Sequence, residues 1–292
     1  MSSLDIAVHL HVRRCRDGIM MFNPKDRYIG RALEVYGEFS YAEAIVFDQI
    51  VRRGDTVLDI GANMGAHTLH LSRGVGFQGR VLAFEPQRGV FQLMCANMAL
   101  NIVTNVEPHW AAVGSRSGQI IVPRLDITST NNFGALRLGQ AEKGDVVRMV
   151  AIDELELAAC SMIKMDIEGM EYEALQGASD TLKRLKPILY IENDGDDRSP
   201  DLINLILSLD YRIWWHLPAY FNPNNYNGVA ENLFPRELSV NMLCIHKSVN
   251  AEVSNAEPVL DANDTWIRAN KDFRDKTGLP VHLRPKIQIL LK

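Results

Sequence analysis

The chain has 292 residues, of which 47% are hydrophobic and 23% charged, a composition typical of a globular protein with one α/β domain and terminal extensions. Its formal net charge of −5 disfavours nucleic acid as a partner, because nucleic-acid binding depends on basic surfaces. Scattered cysteines without a CxxC pair, no signal peptide and no apolar run of ~18–20 residues together predict a cytoplasmic protein without a membrane partner.

Residues 1–53 are predicted to form an N-terminal extension. Apolar residues indicate strands near Ile6–Val12 and Ile19–Phe22. Near-helical spacing of apolar residues then predicts a helix over Tyr41–Val51. The extension therefore ends in a helix that leads directly into the central region.

Residues 54–248 are predicted to form the catalytic domain, because short apolar strands alternate there with helical patterns. The predicted strands are Thr56–Ile60, Arg80–Phe84, Val106–Val113, Ile163–Ile167, Ile188–Glu192, Tyr211–His216 and Val240–His246. The helical patterns include Val90–Leu100, Glu171–Leu185 and Asp201–Leu209. Continuous apolar strands separated by helices indicate an α/β fold with a parallel sheet covered on both faces.

Two further segments depart from this alternation. The run Pro218–Pro235 is rich in Asn and Pro and too polar for a core, and long loops of this kind in compact domains tend to be functional. Residues 249–292 lose strong periodicity, and they are predicted to form a peripheral C-terminal tail.

The strongest motif is VLDIGANMGAHTLHLSR, in which a buried strand ends at Asp59 and a glycine turn leads into a helix. Gly61, Asn63 and Gly65 lie in this turn. Glycines let the backbone turn sharply and approach a ligand, and the helix N-terminus adds free N–H groups. The next strand ends in Glu85, an acid placed to accept both ribose hydroxyls of an adenosine.

A dinucleotide dehydrogenase is the competing interpretation of this motif. Its fingerprint is G-x-G-x-x-G, which cradles a pyrophosphate, whereas the spacing here is D-x-G-x-x-x-G. The carboxylate of Asp59 would repel a pyrophosphate but suits a cofactor with an ammonium and a sulfonium group. Electrostatics therefore favours S-adenosylmethionine as the cofactor. A plain βαβ turn with a packing glycine is the non-functional alternative.

These residues resemble the FkbM family of methyltransferases over roughly residues 35–247. The matching stretches are VLDIGANMG, RVLAFEP with the following NMALN, AAVG, IKMDIEGMEYEALQGA, KPILYIEN and NMLCIHK. The resemblance implies a Rossmann-like class I methyltransferase fold, with a seven-stranded, mostly parallel sheet whose last strand is antiparallel. It also implies methyl transfer, usually to oxygen on a sugar, polyketide or other small-molecule acceptor.

Acidic residues gather where two neighbouring strands end. Asp166 lies at the end of the fourth strand, and Glu192 and Asn193 lie at the end of the fifth. Ligands bind beyond the carboxyl ends of strands in open α/β sheets. The set is similar to the one with which catechol-type methyltransferases hold a divalent cation, and three oxygen ligands would suit Mg²⁺. The metal-free alternative uses Asp166, Glu192 or His216 as the general base, with Lys164 as a partner of Asp166.

The resemblance also suggests that the N-terminal extension folds as a cap over the cofactor site. Glu38 belongs to a Gly-Glu pair similar to one in the family, and it is the predicted contact to the methionine ammonium group. The segment around Glu38 and the loop Pro218–Pro235 are expected to close over opposite sides of the acceptor pocket. Asn131, Asn132 and Gly134 are candidates for another wall.

A second class of function stays open at this stage. A catalytically silent domain that binds the cofactor, as a sensor or as a docking module for a partner, would share the cofactor motif. Such a domain has no need of Asp166 or Glu192, so the intact acidic rim favours an enzyme.

Overall fold

The computed structural model describes residues 10–126, 130, 132, 134, 141–195, 198–277, 284 and 286–291. Its strands are β1 His11–Cys15, β2 Gly18–Phe22, β3 Thr56–Ile60, β4 Arg80–Phe84, β5 Val106–His109, β6 Ala111–Val113, β7 Gly118–Val122, β8 Asp145–Val150, β9 Met162–Met165, β10 Ile188–Glu192, β11 Tyr211–His216, β12 Asn241–His246, β13 Ala251–Ser254, β14 Glu257–Pro258 and β15 Gln288–Leu291. Its helices are α1 Ile29–Tyr36, α2 Tyr41–Ile50, α3 Ala66–Val75, α4 Arg88–Leu100, α5 Glu171–Gln176, α6 Ser179–Leu185, α7 Ser199–Ser208 and α8 Trp266–Thr277.

A central sheet organises the molecule, with the strand order β14-β11-β12-β10-β9-β3-β4-β5. Neighbouring strands from β10 to β5 are parallel, and β12 runs antiparallel between β10 and β11. The predicted Rossmann-like fold with an antiparallel last strand is therefore confirmed, and β14 adds a two-residue edge strand. The carboxyl ends of β3, β4, β9 and β10 meet at one edge, which is where the candidate site lies.

Two predicted elements are each divided in the structure. The predicted strand Val106–Val113 breaks at Trp110, whose indole Nε1 donates to the Pro86 carbonyl at 2.8 Å, and β6 then joins β7 and β8 in a separate sheet. The predicted helix Glu171–Leu185 breaks at Gly177, whose carbonyl accepts the Asp153 N–H at 2.8 Å. Both breaks result from contacts with residues that are distant in sequence.

The N-terminal extension is anchored to α4 by two asparagines. Asn97 Oδ1 accepts the Met21 N–H at 2.6 Å, and its Nδ2 donates to the carbonyls of Met21 and Met64. Asn101 makes the same paired contacts with the backbone of Ile19. The predicted second strand is found as β2, paired with β1, while residues 1–9 lie outside the described part of the chain.

The description of residues 249–292 as a peripheral tail needs correction for its described part. Ile287 and Ile289 are buried, and the Ile289 N–H donates to Gln49 Oε1 on α2 at 2.8 Å. Trp266 Nε1 donates to the Asp194 carbonyl at 2.8 Å. The alternating run Ile287-Gln288-Ile289 is the sequence signal for this packing. The boundaries at residues 53 and 248 stay predictions. In the described ranges, no helix combines the length and hydropathy needed to cross a bilayer.

Candidate functional site

A cavity of about 100 Å³, here called the strand-end cavity, lies where β3, β4, β9 and β10 end. Five of the predicted site residues line it: Gly61, Asn63, Glu85, Asp166 and Glu192. Further lining residues come from the N-terminal extension, from α3 and from the segments before and within β12, among them Tyr28, Phe39, Glu43, His67, Tyr220, Ser239 and Asn241. The structure therefore brings the glycine turn and the acidic strand ends to one place.

The glycines of the turn are required for packing within the protein. Gly61 has a φ of 76°, and a Cβ added there would lie 1.7 Å from the Asp166 carbonyl oxygen. Gly65 has a φ of 86° and precedes α3, where a Cβ would lie 3.1 Å from Met94 and Met98. Gly65 is not among the residues lining the strand-end cavity. Close approach at these glycines thus serves packing between β3, β9 and α4, and the expected approach of a ligand to Gly61, which lines the cavity, stays a prediction.

Asp59 has no exposure and does not line the strand-end cavity. Its Oδ2 accepts the Thr68 hydroxyl at 2.6 Å, and its Oδ1 lies 3.4 Å from Lys164 Nζ. Lys164 Nζ also donates to the Gly61 carbonyl at 2.9 Å. Burial opposes the charge of Lys164, but Asp59 and Asp166 raise the pKa of this ammonium above its usual value. The predicted cofactor contact of Asp59 is corrected: it neutralises the lysine that holds the glycine turn.

Glu85 is buried and faces the strand-end cavity. Its Oε2 accepts the Asn63 N–H at 3.0 Å, and its Oε1 accepts the Gln87 N–H at 2.8 Å. Asn63 has a φ of 50°, a left-handed conformation. Burial raises the pKa of Glu85 to about 7. Each carboxylate oxygen keeps a lone pair beyond its backbone donor, so two hydroxyl groups can donate to it.

Three carboxyl groups meet at the ends of β9 and β10. Oxygen atoms of Asp166, Glu168 and Glu192 all lie within 4.8 Å of one another. Burial, together with the nearby Asp166 and Glu168, raises the pKa of Glu192 well above its usual value. A hydrogen bond between the side chains of Glu192 and Asp166 adds to this rise, because it favours the protonated form of Glu192. Lys164 Nζ lies 3.8 Å from Asp166 on the other side.

Asn193 lies beside this cluster. It is buried, and its Nδ2 donates to the Met242 sulfur at 3.4 Å. Together with Glu168 and Glu192 it lines a smaller pocket, and it is not among the residues lining the strand-end cavity. Glu168 offers an oxygen next to those of Asp166 and Glu192, and the metal set of Asp166, Glu192 and Asn193 stays a prediction.

The environment of His216 does not suit its expected role as the general base. It is absent from the lining of the strand-end cavity, and its Nδ1 lies 2.7 Å from the Tyr190 hydroxyl. Burial and the charge of Arg284 lower the pKa of His216 to about 3. A general base works best when its pKa lies near the operating pH, so this imidazole is poorly suited to the task.

Glu38 connects the N-terminal extension to the long loop. Its carboxylate accepts Arg16 Nε at 2.6 Å, Asn222 Nδ2 at 2.8 Å and the Tyr226 N–H at 2.9 Å. These three donors hold the carboxylate of Glu38 within the protein, and Glu38 is not among the residues lining the strand-end cavity. The predicted contact of Glu38 to the cofactor is therefore corrected. The two segments pack against each other as one cap, whereas opposite walls were expected.

Glu43 and His67 are among the residues of the strand-end cavity that sequence analysis missed. Glu43 is buried, and its Oε1 accepts the hydroxyls of Ser40 at 2.5 Å and Ser239 at 2.8 Å. His67 lies in the first turn of α3, and its buried Nε2 has no hydrogen-bond partner among the described residues. Ser40-x-x-Glu43 has the spacing of a helix capping box, a signal that was available in the sequence. Of the other suggested wall residues, Asn132 and Gly134 line the cavity, and Asn131 lies outside the described residues.

Comparisons with known proteins agree with this geometry. A family model described as the methyltransferase FkbM domain matches residues 59–213. "Methyltransferase 1" of Beauveria bassiana is 25% identical over 146 residues, covering 42% of this chain and 58% of the relative. "Hexuronic acid methyltransferase AglP" of Haloferax volcanii is 26% identical over 147 residues, covering 49% of this chain and 58% of the relative. The match thus spans less than two thirds of either relative.

Solved structures of methyltransferases are also similar. The methyltransferase FkbM from Methylobacillus flagellatus KT is 20% identical with a TM-score of 0.44, covering 68% of this chain and 50% of that one. The precorrin-6y C5,15-methyltransferase from Geobacter metallireducens is 13% identical with a TM-score of 0.45, covering 70% of this chain and 87% of that one.

Proposed function

The chain belongs to the FkbM methyltransferase family, and from this premise we propose that it transfers the methyl group of S-adenosylmethionine to a hydroxyl oxygen of a small metabolite. The observation that supports this function best is the juxtaposition of Glu85 with the hydrogen-bonded pair Asp166 and Glu192 in the strand-end cavity. One end of the cavity suits an adenosine ribose, and the other offers an acceptor for a hydroxyl proton.

The residues present fit S-adenosylmethionine. Glu85 suits the ribose hydroxyls, and the unsatisfied Nε2 of His67 offers the same cavity a further polar contact. The carboxylates of Glu43 and Asp166 suit a ligand with ammonium and sulfonium charges. When bound, this cofactor supplies an electrophilic methyl group to the acceptor oxygen.

Asp166 is the proposed general base, which accepts the proton of the acceptor hydroxyl. The hydrogen bond from Glu192 and the charge of Lys164 hold its carboxylate in one orientation. Tyr220 and Phe39, whose ring centroids lie 5.3 Å apart, cover the cavity and exclude water. Orientation in a desolvated site contributes much of such a rate. In a second form of the proposal, Asp166, Glu168 and Glu192 hold a Mg²⁺ ion that lowers the pKa of the hydroxyl.

A sugar is the proposed acceptor class, and the printed name of the Haloferax relative, a hexuronic acid methyltransferase, supports this class. We expect methyl-labelled S-adenosylmethionine to label a hexose or hexuronic acid derivative as an ether, which resists alkaline hydrolysis. NMR of the product identifies the methylated atom. A neutral hexose and the corresponding uronic acid, tested side by side, form a matched pair of acceptors. Label recovered only as a base-labile ester, or on nitrogen, would contradict transfer to a hydroxyl.

Changing Glu85 to Gln or Ala is expected to weaken binding of S-adenosylmethionine at least tenfold. Each hydrogen bond to the charged carboxylate is worth about 1.5–3 kcal/mol. Isothermal titration calorimetry measures the effect. Glu107→Gln is the matched control, because Glu107 lies on the neighbouring strand, outside the cavity. Unchanged affinity in Glu85→Gln and Glu85→Ala would remove the ribose assignment.

A further inference from the structure

A second and larger cavity of about 510 Å³ lies beyond the end of β11. It is bounded by the start of α2, the segment after β11 and the C-terminal segment around α8, and we call it the C-terminal cavity. Its lining includes the aromatic side chains of Tyr41, Trp215, Phe221 and Phe273. Cavities of this volume with an aromatic lining and a few polar groups are typical of small-molecule sites.

The C-terminal cavity is positively charged although the whole chain is acidic. Among the described lining residues, Lys276, Lys286 and Arg284 are cationic, and Glu257 is the acid. Lys276 Nζ lies 2.8 Å from both carboxylate oxygens of Glu257, so that acid is already engaged. The remaining charge of this surface is therefore complementary to an anion.

Arg284 shows the clearest need for a further partner. Its guanidinium carbon lies over the Phe273 ring, 4.1 Å from the centroid, and its Nη2 donates to the amide oxygen of Asn270 at 2.5 Å. Its Nε is buried without a hydrogen-bond partner among the described residues. Burial lowers the pKa of Arg284 to about 10, which shows that the nearby Glu257 does not compensate the loss of solvation. A buried cation is stable only when it is paired, and an oxyanion is the natural partner of a guanidinium.

We propose that the C-terminal cavity binds an organic anion, a carboxylate or phosphate monoester carried on a ring. Arg284 and Lys286 contact the oxyanion, and the aromatic side chains pack against the ring. The amides of Asn222 and Asn224 line the same cavity and can bond to hydroxyl groups. This ligand is additional to the cofactor and does not depend on the proposed methyl transfer.

The two cavities share a wall. Ala219 and Phe221 line the C-terminal cavity, whereas Tyr220 between them lines the strand-end cavity. His216 lines the C-terminal cavity and is hydrogen-bonded to Tyr190 on β10. Because this wall separates them, the anion and S-adenosylmethionine are expected to bind at the same time.

Calorimetry with four probes tests the proposal: glucose 1-phosphate, glucuronate, inorganic phosphate and glucose. We expect at least one of the two sugar anions to bind, at least tenfold more tightly than inorganic phosphate or glucose. The stronger of the two shows whether phosphate or carboxylate is the preferred oxyanion. Arg284→Gln and Lys286→Gln should each weaken that binding at least tenfold. Lys271→Gln removes the same charge from α8 outside the cavity and should leave it unchanged.

A separate variant keeps the test independent of Arg284, which also packs against α8. Ala42→Phe places a ring in the cavity without changing any charge, and it should abolish anion binding while S-adenosylmethionine still binds. The proposal is overturned if neither sugar anion binds, if inorganic phosphate binds as tightly, or if Ala42→Phe has no effect. Displacement of the anion by S-adenosylmethionine would place it in the strand-end cavity and also overturn the proposal. A failure to detect methyl transfer would leave these results unaffected.

Discussion

Replacing Asp166 by Asn is expected to lower kcat at least tenfold and up to ~10⁴-fold, because a positioned general base typically contributes ~10²–10⁴-fold. The amide keeps the shape of the side chain but cannot take the proton of an acceptor hydroxyl. Affinity for S-adenosylmethionine should change little, since Glu85, the proposed contact to the ribose, is unchanged. Steady-state kinetics and calorimetry on the same preparation separate the two effects.

Asp194→Asn is the matched control, since Asp194 follows β10 but does not line the strand-end cavity. Chelation distinguishes the two forms of the proposal. Loss of activity in EDTA that Mg²⁺ restores supports a cation held by Asp166, Glu168 and Glu192, and indifference to EDTA supports the bare base. A kcat of Asp166→Asn within twofold of the unmodified enzyme would contradict both forms.

The sheet could be predicted from the sequence because its strands are buried on both faces. Thr56–Ile60, Arg80–Phe84 and Ile188–Glu192 appear with the predicted bounds, since a continuous apolar run leaves little freedom in where a strand lies. Glu85 and Asp166 were also placed correctly in the cavity, because a residue that ends a parallel strand lies at the ligand-binding edge.

The contacts that could not be predicted belong to residues whose partners are distant in sequence. Glu38 bonds to Asn222, 184 positions away, and His216 bonds to Tyr190 across the sheet, 26 positions away. Asp59 is paired with Lys164, a residue that lies outside the glycine motif, so the motif alone does not predict this ion pair. Asp59 has no exposure, whereas Asp166, which also lies near Lys164, remains exposed to the cavity. Spacing predicted which strand end each acid occupies, but it could not show which acids were already paired.

Replacing Lys164 by Met is expected to lower the free energy of unfolding by about 3–5 kcal/mol, the usual effect of removing one partner from a buried ion pair. Asp59 would be left as a fully buried carboxylate, bonded among the described residues to the Thr68 hydroxyl alone. The Gly61 carbonyl would also lose its donor. Urea unfolding followed by circular dichroism measures the change as a lower midpoint at an unchanged slope.

A double-mutant cycle shows whether the pair itself is responsible. Asp59→Asn removes the charge that Lys164 neutralises, so the double variant Asp59→Asn with Lys164→Met should be more stable than the sum of the single effects predicts, by about 0.5–3 kcal/mol. Lys183→Met, on the exposed face of α6, controls for the loss of a lysine. Strict additivity of the two changes would mean that Asp59 and Lys164 act separately. The glycine turn would then depend on Lys164 only through the carbonyl of Gly61.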